Sequence, residues 1–280
     1  MKNVFKLCAF ADEASTDLAE QITALKENNI DFLEIRSVNG KNISDVTVDE
    51  VKDIKKELDN SGIAVWSIGS PSGKIDISEK FKPHFDKFVH MAELAEILGA
   101  SRYRLFSFYG IKGKTHARDE VMERLLRFSE AVKGSNIVLC HENEKDIYGE
   151  LANECLDIHK SLPDIKAVFD PANFIQAGQH VKEAWDILKI YTDYLHIKDA
   201  KVDGTVVPAG KGEGYLAEII KDFNEISLLK NKVLTLEPHL KVFEGLAELE
   251  HDEKSVIDSY VYKTQREAFD AAAFALKELL

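Results

Sequence analysis

Apolar residues recur along this chain in two alternating rhythms. Short runs with a period of two, the signature of strands, fall at residues 4–10, 32–36, 63–68, 102–108, 137–142, 167–170, 194–200 and 233–237. Between them the spacing turns helical. Leu18, Ile22 and Leu25 open the first such pattern, and Asn28 and Asn29 tolerate the left-handed conformation that closes a helix. Thr47 with Glu50 forms a capping box for the next, which Gly62 ends. Further helices are predicted over 83–98, stopped by Gly99, over 118–132, stopped by Gly134, and over 151–162, stopped by Pro163. The last three patterns cover 181–190, 215–223 and 255–280.

Eight strand–helix units in strict alternation, with no linker-like break, predict a single-domain (β/α)8 TIM barrel over residues 1–280. A doubly wound open sheet satisfies the same periodicity, and charge placement separates the two. Glu34, Arg36, Arg104, Glu142, Asp170, His196, Lys198 and Glu237 all fall at the carboxyl ends of strands. An open sheet gathers its chemistry at one crevice; a barrel gathers it at the ends of many strands. The barrel is the better reading.

Residues 194–200 are the stretch on which the rest turns. Leu195 and Ile197 alternate with His196 and Lys198, and helical patterns on both sides make this a buried parallel strand. A His and a Lys on one buried face need partners or a task. Three other strands end on carboxylates, Glu142, Asp170 and Glu237. One imidazole and three carboxylates at strand ends predict a metal site. That mostly oxygen donor set suits Mn2+ or Mg2+, with Co2+ or Zn2+ as alternatives.

Composition narrows the partners. A hydrophobic content of 45% supports a large core, and a formal charge of −13 argues against nucleic acid. No apolar run is long enough to span a membrane. The first ten residues faintly resemble a signal peptide, but Asp12 and Glu13 interrupt them early and a strand fits better. Cys8, Cys140 and Cys155 form no C-x-x-C pair, so reduced thiols in a cytoplasmic protein are expected.

The motifs Cys140-His-Glu-Asn143, Phe169-Asp-Pro-Ala-Asn173, Leu195-His-Ile-Lys-Asp199, 208–214 and Leu236-Glu-Pro238 together resemble the xylose isomerase-like TIM-barrel superfamily, over essentially the whole chain. The resemblance implies that Glu142, Asp170, His196 and Glu237 bind one divalent metal ion. It further implies that Glu142 and Glu237 act as acid and base from opposite faces of a substrate, moving a proton next to a carbonyl through an enediolate. The expected activity is that of a sugar, sugar-phosphate or sugar-acid isomerase or epimerase. Two positions depart from the pattern. Asn173 stands where ketohexose 3-epimerases and inosose dehydratases usually have His, and Val202 stands where many ketose epimerases have Arg. The rival expectations are an inosose- or dehydroshikimate-type dehydratase on the same scaffold and a non-catalytic sugar-binding barrel. The related endonuclease IV type binds three zinc ions with additional histidines, which the early strands here do not supply.

Arg36, Lys74, Arg104 and Lys198 are predicted near one rim, which suits an anionic carbohydrate. The competing reading pairs Arg36 with Glu34, and Lys198 with Asp199 or a ligand carboxylate. Asn173 is placed to bond the substrate or to fix Asp170, and His239 to contact the substrate, while His141 alternates away from Glu142. Gly210, Gly212 and Gly214 could form a phosphate-binding nest or a plain tight turn. Cys140 reads as barrel filling; Phe106, Tyr109 and Trp66 read as a sugar-facing wall or as core. Outer helices of such barrels commonly pair, so a homodimer or homotetramer is expected.

Overall fold

The computed structural model describes residues 5–111, 117–226, 232–243, 256–257 and 262–280. Its centre is a closed ring of eight strands: β1 (Phe5–Ala9), β2 (Phe32–Ile35), β3 (Ala64–Gly69), β4 (Arg102–Leu105), β5 (Val138–Glu142), β6 (Lys166–Phe169), β7 (Thr192–Ile197) and β8 (Lys232–Leu236). Each pairs in parallel with the next in sequence, and β8 closes on β1, with Ala9 opposite Leu236. The expected (β/α)8 barrel is therefore the fold.

Helices α1 (Leu18–Glu27), α2 (Val48–Ser61), α3 (Phe81–Leu98), α4 (Ala117–Ala131), α5 (Ala152–Ser161), α6 (Pro171–Gln176), α7 (Val181–Leu188), α8 (Leu216–Glu225) and α9 (Gln265–Glu278) surround it. Their stripes do the holding. Leu216, Ile219, Ile220 and Phe223 of α8 are all buried, each stabilising the fold by about 1.5–3 kcal/mol. The capping box of Thr47 and Glu50 forms as predicted, and Gly62 ends α2 in the left-handed conformation. Inside the ring, Cys8, Trp66, Cys140, Val168, Tyr194 and Val233 make an apolar plug, so Cys140 and Trp66 are core.

The structure revises three boundaries and adds one helix. β4 ends at Leu105 rather than at 108, because the N–H groups of Phe106 and Phe108 turn to the carbonyls of Ser72 and Gly73, at 2.8 and 2.9 Å. β7 ends at Ile197; Asp199–Ala200 instead pairs antiparallel with Thr205–Val207. The predicted C-terminal helix over 255–280 begins only at Gln265, capped by Thr264, since Val256–Ile257 adds a strand beside Thr205–Val207. Finally, α6 has no counterpart in the predicted elements. At six residues it is too short to show periodicity, although Asp170 as its N-cap and Pro171 at its first position mark it locally.

Candidate metal centre

The four predicted ligands converge. Glu142, Asp170, His196 and Glu237 stand at the ends of β5, β6, β7 and β8. Each offers a ligand atom within 4.8 Å of the others. All are buried, His196 and Asp170 completely. His196 Nδ1 lies 2.9 Å from Glu142 Oε1 and 3.1 Å from Glu237 Oε2. Lys198 Nζ is 2.8 Å from Asp170 Oδ2 and 3.5 Å from Glu237 Oε2, so its partner is the Asp170 carboxylate and not Asp199. Arg104 Nε approaches Glu142 Oε2 at 3.4 Å, between the rings of Phe10 and Phe106.

Asn173 holds the carboxylates in place. Its Nδ2 donates to the Asn143 carbonyl at 2.9 Å and reaches Glu142 Oε1 at 3.4 Å, while its backbone N–H donates to Asp170 Oδ1 at 3.0 Å. Asn143 and the Asp170 backbone exchange two further hydrogen bonds, each 2.9 Å.

Arg36 does not pair with Glu34. Its guanidinium instead binds Asp12 at 2.8 and 3.1 Å, Glu13 at 3.2 Å and Glu237 at 3.1 Å. Asp12 and Glu13 are buried at the carboxyl end of β1, although the sequence there reads as a polar capping loop. The signal that could have found them is the one that singled out the four predicted ligands, a carboxylate just past a strand. His239 sits beside them. Its backbone N–H donates to Glu13 Oε2 at 2.7 Å, and its Nε2 lies 3.4 Å from Glu13 and 3.5 Å from Glu237. Lys74 pairs with Glu144 at 3.1 Å and lies over the Phe106 ring.

Two expectations about neighbouring residues resolve locally. His141 points away from the centre, with Nε2 2.8 Å from Ser107 Oγ. The glycine-rich loop forms a nest, but the chain fills it itself. The N–H groups of Gly210, Gly212 and Gly214 all donate to the Asp199 carboxylate, at 2.9, 3.0 and 2.9 Å. A Cβ on Gly212 would come within 2.3 Å of the Ala200 carbonyl oxygen, so glycine is required there.

The electrostatics call for a cation. Asp12, Glu13, Glu34, Glu142, Asp170 and Glu237 are buried around Arg36, Arg104 and Lys198, leaving carboxylates in excess. The titration behaviour reflects this. Burial raises Asp170 to about 7, with Glu237 and Glu142 adding to the effect against Lys198. Burial likewise raises Glu13 to about 8 despite Arg36. Burial opposes a charged His196, but Glu142, Glu34 and Glu237 outweigh it and hold the ring well above its ordinary value. Asp170 Oδ2 and Glu237 Oε2 have no well-directed hydrogen bond among the described residues. Buried carboxylate oxygens left in this way, an excess of negative charge and an oxygen-rich donor set fit a divalent ion.

A family model for xylose isomerase-like TIM barrels matches residues 22–251. The chain belongs to the xylose isomerase-like TIM barrel family. Solved structures of the same fold include the probable 3-DHS dehydratase AsbF of Bacillus anthracis, at TM-score 0.73 and 15% identity over 98% of this chain and 99% of that one. D-psicose 3-epimerase of Clostridium cellulolyticum H10 aligns at TM-score 0.73 and 14% identity, covering 98% of both chains. An L-ribulose 3-epimerase aligns at 0.72 and 16%, covering 98% of this chain and 95% of that one. No curated protein matches the chain by sequence. No described helix is long and apolar enough to cross a membrane.

Proposed function

We propose that this protein is a divalent-metal-dependent isomerase or epimerase of a sugar, sugar phosphate or sugar acid, acting by proton transfer next to a carbonyl. The observation that carries this reading is the convergence of Glu142, Asp170, His196 and Glu237 on one point at the carboxyl end of the barrel. These four would hold the ion, Mn2+ or Mg2+ by donor chemistry. When bound, such an ion supplies Lewis-acid polarisation of a substrate carbonyl.

The remaining work falls to the chain's own side chains. Glu142 and Glu237 are the acid and base that remove and return the proton. Asn173 reaches Glu142 Oε1 and orients it. Burial tends to raise Glu237, but Lys198 and His196 overcome this and hold it well below the usual carboxylate range, so it is ionised. Arg104 and Lys198 meet the negative charge that develops on substrate oxygen. Lys74, near Phe106, and His239, beside Glu237, complete the substrate-facing set. Arg36, held by three carboxylates, serves this set by fixing Glu237.

Metal analysis of purified protein is the test, beside the Glu142→Gln/His196→Ala double variant. About one divalent ion per chain, lost in the variant, supports the reading. Protein that is metal-free and ignores added Mn2+ overturns it. Loaded protein is then screened against acidic and phosphorylated sugars for deuterium uptake from solvent. Uptake with conserved mass supports an isomerase or epimerase, whereas loss of water identifies a dehydratase. Binding without exchange leaves a sugar-binding barrel.

A further inference from the structure

Glu34, at the carboxyl end of β2, is buried completely, and the proton transfer proposed above does not use it. Its Oε2 lies 3.3 Å from His196 Nε2. Its Oε1 accepts from Tyr194 Oη at 2.9 Å and from Ser67 Oγ at 3.1 Å. The imidazole between Glu34 and the ligand carboxylates is walled edge-on by Phe10, with ring centroids 5.3 Å apart, and by Tyr194 at 5.5 Å. Phe10 itself is held where a Cβ on Gly69 would come within 2.5 Å of its ring. The imidazole therefore has one nitrogen committed to Glu34 and the other, Nδ1, facing Glu142 and Glu237.

The barrel backbone is irregular where this arrangement is built. The pairing of β2 with β3 runs from Leu33 opposite Val65 to Glu34 opposite Ser67, skipping Trp66. The pairing of β6 with β7 runs from Ala167 opposite Thr192 to Val168 opposite Tyr194, skipping Asp193. A bulge re-aims the side chain that follows it. Here the residues that follow the two bulges are Ser67 and Tyr194, the two donors that hold Glu34. Two separate strand irregularities thus serve one carboxylate.

We infer that Glu34 is a positioning residue that takes the Nε2–H of His196 and so dedicates Nδ1 to the metal ion. A carboxylate behind a ligating histidine fixes its tautomer and orientation and strengthens it as a ligand, and loss of such a partner typically weakens metal binding by about 10–100-fold. Tyr194 and Ser67 hold Glu34 in the rotamer that does this. The inference rests on the metal site proposed above.

The test compares wild type, Glu34→Gln, Tyr194→Phe and His196→Ala for Zn2+ affinity by titration calorimetry. It also compares the imidazole nitrogen resonances of 15N-histidine-labelled, Zn2+-loaded protein, with His196 assigned by its absence from His196→Ala. Circular dichroism establishes that each variant is folded. The expected result is a His196 with the proton on Nε2 and the metal on Nδ1. Affinity is expected to fall about 10–100-fold in Glu34→Gln and by a smaller factor in Tyr194→Phe, with an altered His196 signature in both. If wild type binds through Nδ1 and His196→Ala loses the ion, yet Glu34→Gln and Tyr194→Phe bind as wild type does, the role of Glu34 is refuted and the metal site stands. Metal held through Nε2 refutes it equally. A wild type that binds no divalent ion overturns the site itself and this role with it.

Discussion

Replacing Arg36 by Met should destabilise the barrel strongly and in a pH-dependent way. Arg36 is 2% exposed and faces Asp12, Glu13 and Glu237 at 2.8–3.2 Å. Met keeps much of the apolar stem and removes the charge, leaving three buried carboxylates with no guanidinium between them. Removing one partner of a buried ion pair costs about 3–5 kcal/mol. Unfolding entropy of roughly 2.1 cal/mol/K per residue gives about 0.6 kcal/mol/K for a chain of this length, so the melting temperature should fall by roughly 5–8 °C at pH 7. The direction with pH follows from the carboxylates. Without Arg36, Glu13, which burial already raises to about 8 against the guanidinium, rises further, so folding must retain protons that the unfolded chain releases. The variant's stability is then intact below the unfolded carboxylate pKa of about 4.3 and declines as pH rises above it. Calorimetric melting of both proteins at pH 5 and pH 8 tests this, and the gap between them should widen at pH 8. A fall of less than about 2 °C at pH 7, or a gap that narrows with pH, would refute the claim that Arg36 neutralises this cluster.

Two further outcomes follow from the same structure. Asp199→Ala removes the acceptor of three glycine N–H groups, each a charge-assisted bond worth about 1.5–3 kcal/mol; hydrogen exchange at residues 210–214 should accelerate by orders of magnitude, and unchanged protection would show that the nest is held by other contacts. His159 is 1% exposed and bonded to the Ile165 carbonyl, and burial lowers it to about 4. Because its folded pKa lies below the unfolded value of about 6.5, its contribution is full above pH 6.5 and is lost as pH falls towards 4, amounting to about 2 kcal/mol at pH 5. Urea melts at pH 7 and pH 5 should show that loss in wild type and a smaller one in His159→Leu; equal losses would exclude His159 as the source.

The sequence by itself determined the scaffold and the buried cluster of Glu142, Asp170, His196 and Glu237. Strand and helix periods are local, because each side chain's facing depends on its place in its own element. Eight alternating units therefore announced the barrel, and the carboxylates at the ends of β5, β6 and β8, with the His196 and Lys198 face of β7, announced the centre. Tertiary structure decided who pairs with whom. Asp12 and Glu13 read as a polar capping loop until closure of the ring brought β1 beside β8, and Arg36 from β2 crossed to them rather than to Glu34, two residues away on its own strand. The nest at 210–214 is visible as a glycine pattern, but only the return of the chain past Asp199 shows that a carboxylate of the protein occupies it. Glu34 was legible as a strand-end charge. Its bond to His196 depends on two skipped residues, Trp66 and Asp193, in the strand pairing. Register between strands distant in sequence is a property of the closed ring, and no local pattern encodes it.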